Sequence, residues 1–574
     1  MSPSGSPSQL SIGVVGSGGD GVVLLGELLA RSAVLAGLHC YMDKVFGPQI
    51  RGGESSVSLR ISQSQVLRSA DELDVLLVLQ WSDLARFHDV LSIAPDALVI
   101  CSSEDDGDPQ ACGLPIGHRG PLLSLPLKQL ALDHGRSKQA RNMVLLGAAS
   151  GLLDWYPQQL RAILERRMQR YDERSRENNL AAVAAGRDAV ASWQGSGIPA
   201  LPTSNGNADL ELASGNELLS RAAIASGCRF MAGYPITPAS EILEYMTRRL
   251  PQLGGTCIQA EDEIAAACLT IGAALGGVRS MSATSGPGMT LKSESIALSG
   301  MAGLPMVVVD VQRCGPSTGI PTRTEQADLN LALYGAHGDS PRIVLAAAHQ
   351  ADCADLATQA FELAGEASAP VILLSEQQIA QGLATVPRDL VPEPNGSVPG
   401  WPDTAIGADR QVQLTGLEHD DSGRPLSDAA SHQANSLLRN ARVNRALSRV
   451  PALYEGAAEG ELGLLCFGSS YSICREAIEL AGSRGVTAGM MCIRMLSPLD
   501  QAELRDWLRG YRHVVIVEMN YSGQLHDYLR SRLQLPELTM SLRRSGGRPW
   551  RLAEVEDFLV RHGLLPAGPP ELQP

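Results

Sequence analysis

Between residues 211 and 388, short apolar runs alternate with longer stretches of helical periodicity. The runs are Cys228–Ala232, Thr256–Ala260, Arg279–Ala283, Met306–Val311, Arg342–Ala346 and Pro370–Leu374. A short run that is apolar on both faces needs cover on both faces, and intervening helices supply it. This alternation therefore predicts a doubly wound, mostly parallel sheet with helices on either side. In such a sheet ligands sit outside the carboxyl ends of the strands. The loops that follow each run are where chemistry is to be sought.

Two further α/β blocks flank this one. The first, residues 1–193, opens with the strand Leu10–Val15, a glycine cluster and the helix Val22–Leu35. Strands at Ser56–Ile61, Val75–Leu79 and Ala97–Cys101 follow, then helices at Lys138–Leu153 and Pro157–Tyr171. Residues 194–210 are aperiodic and rich in Gly, Pro, Ser and Asn, the composition of a linker. Residues 389–459 read as an irregular, polar arm of the length that usually serves function or an interface. The last block, residues 460–574, gives strands at Leu462–Phe467, Met490–Ile493 and His513–Glu518, with helices at Ser472–Gly485 and Gly523–Leu533. The expected fold class is multidomain α/β throughout.

Charge and composition remove several function classes. The net charge of −15 and the lack of a Lys/Arg block argue against nucleic acid as a partner. No apolar run is long enough for a membrane span. The opening MSPSGSPSQL has neither the basic nor the apolar region of a signal peptide, so a cytoplasmic location is expected. None of the eleven cysteines forms C-x-x-C. They are expected to be buried, reduced thiols, with neither a disulfide framework nor a metal or iron–sulfur ligand set.

Gly16, Gly18 and Gly21 spell G-x-G-x-x-G between the first strand and its helix, and Asp43 follows about twenty residues later. That satisfies the form of a dinucleotide fingerprint and keeps a nicotinamide dehydrogenase open as an alternative. Any tight strand-to-helix turn profits from the same glycines, so a structural role is the stronger expectation.

The second block concentrates chemistry at its strand ends. In Tyr234-Pro235-Ile236-Thr237-Pro238 the two prolines hold Thr237 extended. Pro238 suits the first helical position, which makes Thr237 either an N-cap or a hydroxyl placed to bind a small carboxylate. Glu261, Asp262 and Glu263 open an otherwise apolar helix. Acids favour a helix start, but Ala260 rules out a capping box for Glu263. A carboxyl buried among small side chains has its proton affinity raised and can hydrogen-bond a heterocycle nitrogen. Ser285 and Gly286 begin a Ser-Gly-Pro-Gly turn at which a flat ligand can approach the backbone. Arg313 follows Met306–Val311, where its guanidinium can pair with a carboxylate or stay solvated.

YPITPASEI, EDEIAAACLTIGAALGG, SATSGPG and DVQRCGPSTGIPTRTEQ, in that order, closely resemble the alpha subunit of 2-oxoacid:ferredoxin oxidoreductases. The first block, with GSGGDGVVLLGELLA, FGPQIRGGESSVSLRIS and RNMVLLGA, resembles the gamma domain of the same enzymes. The last, with LLCFGSS and VVIVEMNYSGQL, looks like their transketolase-C-terminal-type domain. The resemblance implies a fused gamma–alpha subunit whose second block is the pyrimidine-binding domain for thiamine diphosphate. It implies that Glu263 contacts N1′ of the aminopyrimidine, that Tyr234, Pro235, Ile236, Ser285 and Gly286 line the cofactor, and that Thr237 and Arg313 hold the 2-oxoacid carboxylate. A 2-oxoglutarate site needs a second cation, for which Arg342 and Arg323 are candidates and His337 a weaker one. Pyruvate or a branched or aromatic 2-oxoacid would need none. Gly19-Asp20-Gly21 lacks the Asn that a diphosphate–Mg²⁺ motif requires, since no Asn occurs between Asp20 and Asn142. The resemblance therefore implies a beta subunit that carries GDG…N and a [4Fe-4S] cluster, coenzyme A as co-substrate, ferredoxin as electron acceptor and an (αβ)2 assembly. A non-catalytic scaffold that docks a separate thiamine enzyme is the remaining alternative.

Overall fold

The computed structural model describes residues 8–47, 53–193, 195, 197–202, 209–394, 400–401 and 415–567. The part of FGPQIRGG at 48–52, and stretches of the 194–210 linker and the 389–459 arm, lie outside the described residues. The chain forms two compact units, one made of Met1–Ala213 with Gly382–Arg388, the other of Ser214–Gln381 with Asp389–Pro574.

The first unit is built on an eight-stranded sheet. Its strands, in spatial order, are Leu122–Leu125, Ile93–Ser102, Leu73–Val78, Gln9–Ser17, Glu54–Ser62, His39–Phe46, Leu383–Pro387 and Leu210–Ser214. Gln9–Ser17 and Leu73–Val78 are parallel, but Glu54–Ser62 runs antiparallel to Gln9–Ser17 and to His39–Phe46. The helix Val22–Leu35 thus crosses from Gln9–Ser17 to His39–Phe46, which runs parallel to it but is separated from it by the antiparallel Glu54–Ser62, and Asp43 sits on that farther strand. That is not the βαβ unit of a dinucleotide fold. The loop is tied down from elsewhere in the chain. Asp20 pairs with Arg141 at 2.6 Å, and a Cβ on Gly21, at φ +76°, would meet the Asn142 amide at 2.1 Å. Only glycine fits there, so GSGGDG and RNMVLLGA, far apart in sequence, meet in space.

The second unit holds two sheets. The larger has seven strands in the order Met495–Ser497, Ile343–Ala346, Pro370–Glu376, Met306–Gln312, Ser280–Thr284, Phe230–Gly233 and Thr256–Gln259. All are parallel except the first, which pairs antiparallel with Ile343–Ala346. The smaller has five strands: Leu453–Gly456, Ala488–Cys492, Gly460–Cys466, Tyr511–Glu518 and Thr539–Arg543. One apolar core serves both sheets, with Val308 and Ile372 of the larger and Leu465, Met491 and Ile516 of the smaller in the same cluster.

The polar arm is not irregular throughout. Ala429–Asn444 is a helix, N-capped by Asp428, whose carboxylate accepts from the Ser431 N–H. It buries little more than Val443, so no apolar stripe announces it.

Candidate functional site

Four loops of the larger sheet leave carboxyl ends of adjacent parallel strands. They follow Phe230–Gly233, Thr256–Gln259, Ser280–Thr284 and Met306–Gln312, and carry Thr237, Glu263, Ser285 and Arg313 respectively. Strand direction alone therefore gathers these residues along one edge of the sheet.

Of the three acids at 261–263, Asp262 is the N-cap of the helix Glu263–Leu275 and accepts from the Ala265 N–H at 2.8 Å. Glu261 is exposed, whereas Glu263 is only 7% exposed. The helix Gly286–Ala302 packs beside it, and Gly288 is the point of closest approach. A Cβ there would fall 1.9 Å from Thr284 Oγ1, 2.9 Å from Glu263 Cγ and 3.1 Å from its Oε1. Ser285, the N-cap residue of that helix, is fully buried, yet its hydroxyl makes no hydrogen bond. A buried carboxylate, a glycine-floored backbone and an unpaired hydroxyl suit a flat, hydrogen-bonding heterocycle such as an aminopyrimidine.

Thr237 lies in a turn rather than at a helix start. The helix runs Ser240–Arg249 with Ala239 as its N-cap residue, and the Thr237–Pro238 bond is cis. Pro238 therefore does not occupy the first helical position that its type favours. Arg313 donates from Nη1 to the Thr237 carbonyl at 2.5 Å. The Arg313 side chain is buried, its Nε has no hydrogen-bond partner, and it lines a cleft of about 760 Å³. The smaller sheet contributes Asn520, Tyr521 and Ser522 to this cleft, and the segment after Arg313 contributes Glu325 and Asp328. An unpaired guanidinium N–H at a cleft wall is an anion receptor.

Asp310 and Asp328 attend Arg313. Asp310 is fully buried in the central strand, and neither of its carboxylate oxygens has a hydrogen-bond partner. Burial first, then the Asp328 charge, pushes its carboxyl well above the ordinary range, while Arg313 opposes the shift. Asp328 is pushed up to about 6, chiefly by burial. Its side chain lies against the start of the Gly286 helix, where a Cβ on Gly286 would meet Oδ1 at 2.7 Å. Neither acid was singled out by sequence, because a lone Asp in an apolar run or a polar loop carries no distinctive spacing.

The two arginines expected to supply a second cation are placed differently. Arg342 precedes its strand, level with Met306 in the parallel register, and so lies at the amino edge of the sheet. That is roughly 20 Å along the strand direction from Arg313 at about 3.3 Å per residue. Arg342 is buried there and donates from Nε to the Ser340 carbonyl at 3.2 Å. Arg323 does not line the cleft, and its stem packs against Gly547. Tyr234 and Pro235 are exposed, and Ile236 is half-buried. Among the described residues, no three His, Cys, Asp or Glu side chains assemble into a metal site, and no helix is long and apolar enough to cross a membrane.

Comparison with known proteins agrees with this layout. Residues 221–433 match the thiamine-diphosphate-binding family of pyruvate flavodoxin/ferredoxin oxidoreductases. Residues 11–189 match the pyruvate ferredoxin/flavodoxin oxidoreductase family, and residues 460–555 match core domain II of pyruvate:ferredoxin oxidoreductase. The 2-oxoglutarate synthase subunit KorA of Archaeoglobus fulgidus is 38% identical over 323 residues, 55% of this chain and 90% of the relative. The 2-oxoglutarate oxidoreductase subunit KorA of Mycobacterium tuberculosis is 31% identical over 575 residues, 90% of this chain and 86% of the relative. A solved 2-oxoglutarate:ferredoxin oxidoreductase from Magnetococcus marinus, with 2-oxoglutarate, coenzyme A and succinyl-CoA bound, superimposes with a TM-score of 0.89 at 30% identity. That match covers 97% of this chain and 100% of the solved one. The chain belongs to the 2-oxoacid:ferredoxin oxidoreductase family, as an alpha subunit with a gamma-type region fused ahead of it.

Proposed function

We propose that this chain is the subunit of a 2-oxoglutarate:ferredoxin oxidoreductase that holds the pyrimidine end of thiamine diphosphate and the carboxylate of the 2-oxoacid. On this reading residues 1–193 are the gamma-type domain, 211–388 the pyrimidine-binding domain and 460–574 the transketolase-C-terminal-type domain. The observation that carries it is the buried Glu263 beside Gly288, on the same sheet edge as an Arg313 with an unpaired N–H.

Bound thiamine diphosphate supplies the electron sink that lets carbon dioxide leave a 2-oxoacid. Glu263 holds a proton against the ring nitrogen that faces it. Ser285 and Gly286 border the ring. Arg313 receives the substrate carboxylate, with its other face fixed by the Thr237 carbonyl. Asp328, which lines the cleft beside Arg313, and the buried Asp310 both interact with the guanidinium. The net reaction takes 2-oxoglutarate and coenzyme A to succinyl-CoA and carbon dioxide, releases two electrons to ferredoxin, and can be run in reverse. The diphosphate, its Mg²⁺ and a [4Fe-4S] cluster belong to a beta subunit in an (αβ)2 complex of the cytoplasm. The absence of an Asn between Asp20 and Asn142 supports that division.

Within the class, pyruvate or a branched or aromatic 2-oxoacid keeps one observation in its favour. Arg313 is the one cation lining the cleft among the described residues, and a dicarboxylate calls for two. The relatives favour 2-oxoglutarate. Initial rates across 2-oxoacids, measured on the purified complex with coenzyme A and ferredoxin, decide between them. Glu263→Gln is expected to lower kcat about 10²- to 10⁴-fold with the complex intact. Unchanged turnover in that variant would point to the scaffold instead. Reduction of NAD without ferredoxin would point to the dehydrogenase.

A further inference from the structure

Lys292 is fully buried. It lies four residues after Gly288 on the helix Gly286–Ala302, on the same face. That face packs against the first turn of the Glu263 helix. The Lys292 ammonium donates to the main-chain carbonyl of Glu263 at 2.9 Å. A lysine without water is costly, and burial pushes this one down to about 8, while Glu263 first, then Asp262 and Cys268, draw it back up. Those three groups on the neighbouring helix are the titratable groups that face it. On the other elements packed against this helix, Asp310 and Asp328 interact with each other and with Arg313 instead. Glu294, on its own helix, is exposed.

We propose that Lys292 is the positioning residue for Glu263. Its ammonium pins the turn that presents Glu263 and sets a positive charge beside that carboxylate, where the proton shared with the ring is taken up as the cofactor binds. The inference rests on the reading of Glu263 as the partner of the pyrimidine ring. A hydrophobic residue here would supply neither the anchor nor the charge. A buried charge of opposite sign lowers a carboxyl's hold on its proton. Removing it must therefore move proton uptake to higher pH.

The test is calorimetric titration of the cofactor-free complex with thiamine diphosphate and Mg²⁺, in pairs of buffers that differ in ionisation heat, across pH. The difference between buffers counts protons taken up and does not depend on turnover. In the wild type, proton uptake on binding is expected, and Glu263→Gln should abolish it. Lys292→Met should move the uptake window upward by about one pH unit and weaken binding. Lys292→Gln keeps a donor without charge. It should recover affinity while leaving the window displaced. If Lys292→Gln restored the wild-type window, or if Lys292→Met never moved it, the lysine would be a structural anchor only and the inference would be overturned. If Glu263→Gln bound the cofactor with unchanged proton uptake, the reading of Glu263 itself would fail, and this inference with it. The two failures are thus told apart by the Glu263 variant. Should the Met variant not fold, the Gln variant alone decides.

Discussion

Asp310 is a carboxylic acid in the central strand of a parallel sheet, out of reach of water and of any hydrogen-bond donor. Burial raises its proton affinity in the folded chain, so the native state binds a proton that the unfolded state has released above its ordinary range near 3.8. Stability therefore falls as pH rises from that value through the folded one. Asp310→Asn, which keeps shape and carries no charge, is expected to make the chain more stable at neutral pH. The gain should shrink as pH falls toward 4. Urea midpoints of both proteins at pH 4.5 and 7.5 check this, and an Asn variant less stable at pH 7.5 would refute it. Proximity to Arg313 gives the same substitution a second readout. A carboxyl that keeps its proton in the folded chain places no charge beside the guanidinium, so Asn in its place should leave KM for the 2-oxoacid and kcat nearly unchanged.

At the scale of elements, the long arm shows how a helix can be held by one charge cluster rather than by an apolar face. Glu418 accepts from Arg439 at 3.0 Å, from Asn435 at 2.8 Å and from His432 at 2.6 Å, all on the helix Ala429–Asn444. Hydrogen bonds from Arg439 above all hold its carboxyl down at about 2. A depressed carboxyl stabilises above its ordinary value, 4.5 here, and that support is lost as pH falls toward 2. Hydrogen exchange in 429–444 is therefore expected to quicken between about pH 4.5 and 3. Glu418→Gln should show the fast exchange already at pH 7, and equal protection in both proteins would exclude this role. This helix was not legible in sequence, because its residues are polar on nearly every side. The six strands of the larger sheet that alternate with helices were legible, since each is a compact apolar run between periodic stretches. Met495–Ser497 and Leu383–Pro387 were not, because each is a strand only through pairing with a distant segment. The site divides similarly. Glu263 and Arg313 stood out by breaking a helix rule and by following a strand. Lys292 sits in a helix with small residues on every side, so its inward turn has no sequence signature. Arg342 lies at the opposite edge of the sheet, as chain order already indicated: it precedes its strand, and ligands gather where strands end.

Over the second unit as a whole, the side chain of Gln326 sits at the centre of a polar network that bridges the two sheets. Its amide donates to Glu376 and to the Phe467 carbonyl, each at 2.8 Å, and its carbonyl oxygen accepts from the Met519 N–H at 2.8 Å. Glu376 in turn accepts from the Ser469 N–H, and Asn520 donates to the Gln326 main-chain oxygen at 3.1 Å. Glu376 ends a central strand of the larger sheet, while Phe467, Ser469, Met519 and Asn520 follow strands of the smaller. All of these groups are buried. A buried network of this kind is worth little beyond an apolar filling when complete, yet losing one member strands the rest without partners at about 1–3 kcal/mol each. Gln326→Leu, close in volume, strands the Phe467 carbonyl and the Met519 N–H together and takes one partner from Glu376, which keeps the Ser469 N–H and hydroxyl. The unit is then expected to lose about 3 kcal/mol or more. Because Asn520 also lines the cleft with Arg313, the damage should reach the substrate: KM should rise even in the fraction that remains folded. Denaturant midpoints and steady-state kinetics at low temperature separate the two effects. A Leu variant as stable as wild type, with an unchanged KM, would mean that the common apolar core aligns the sheets and that the polar bridge is incidental.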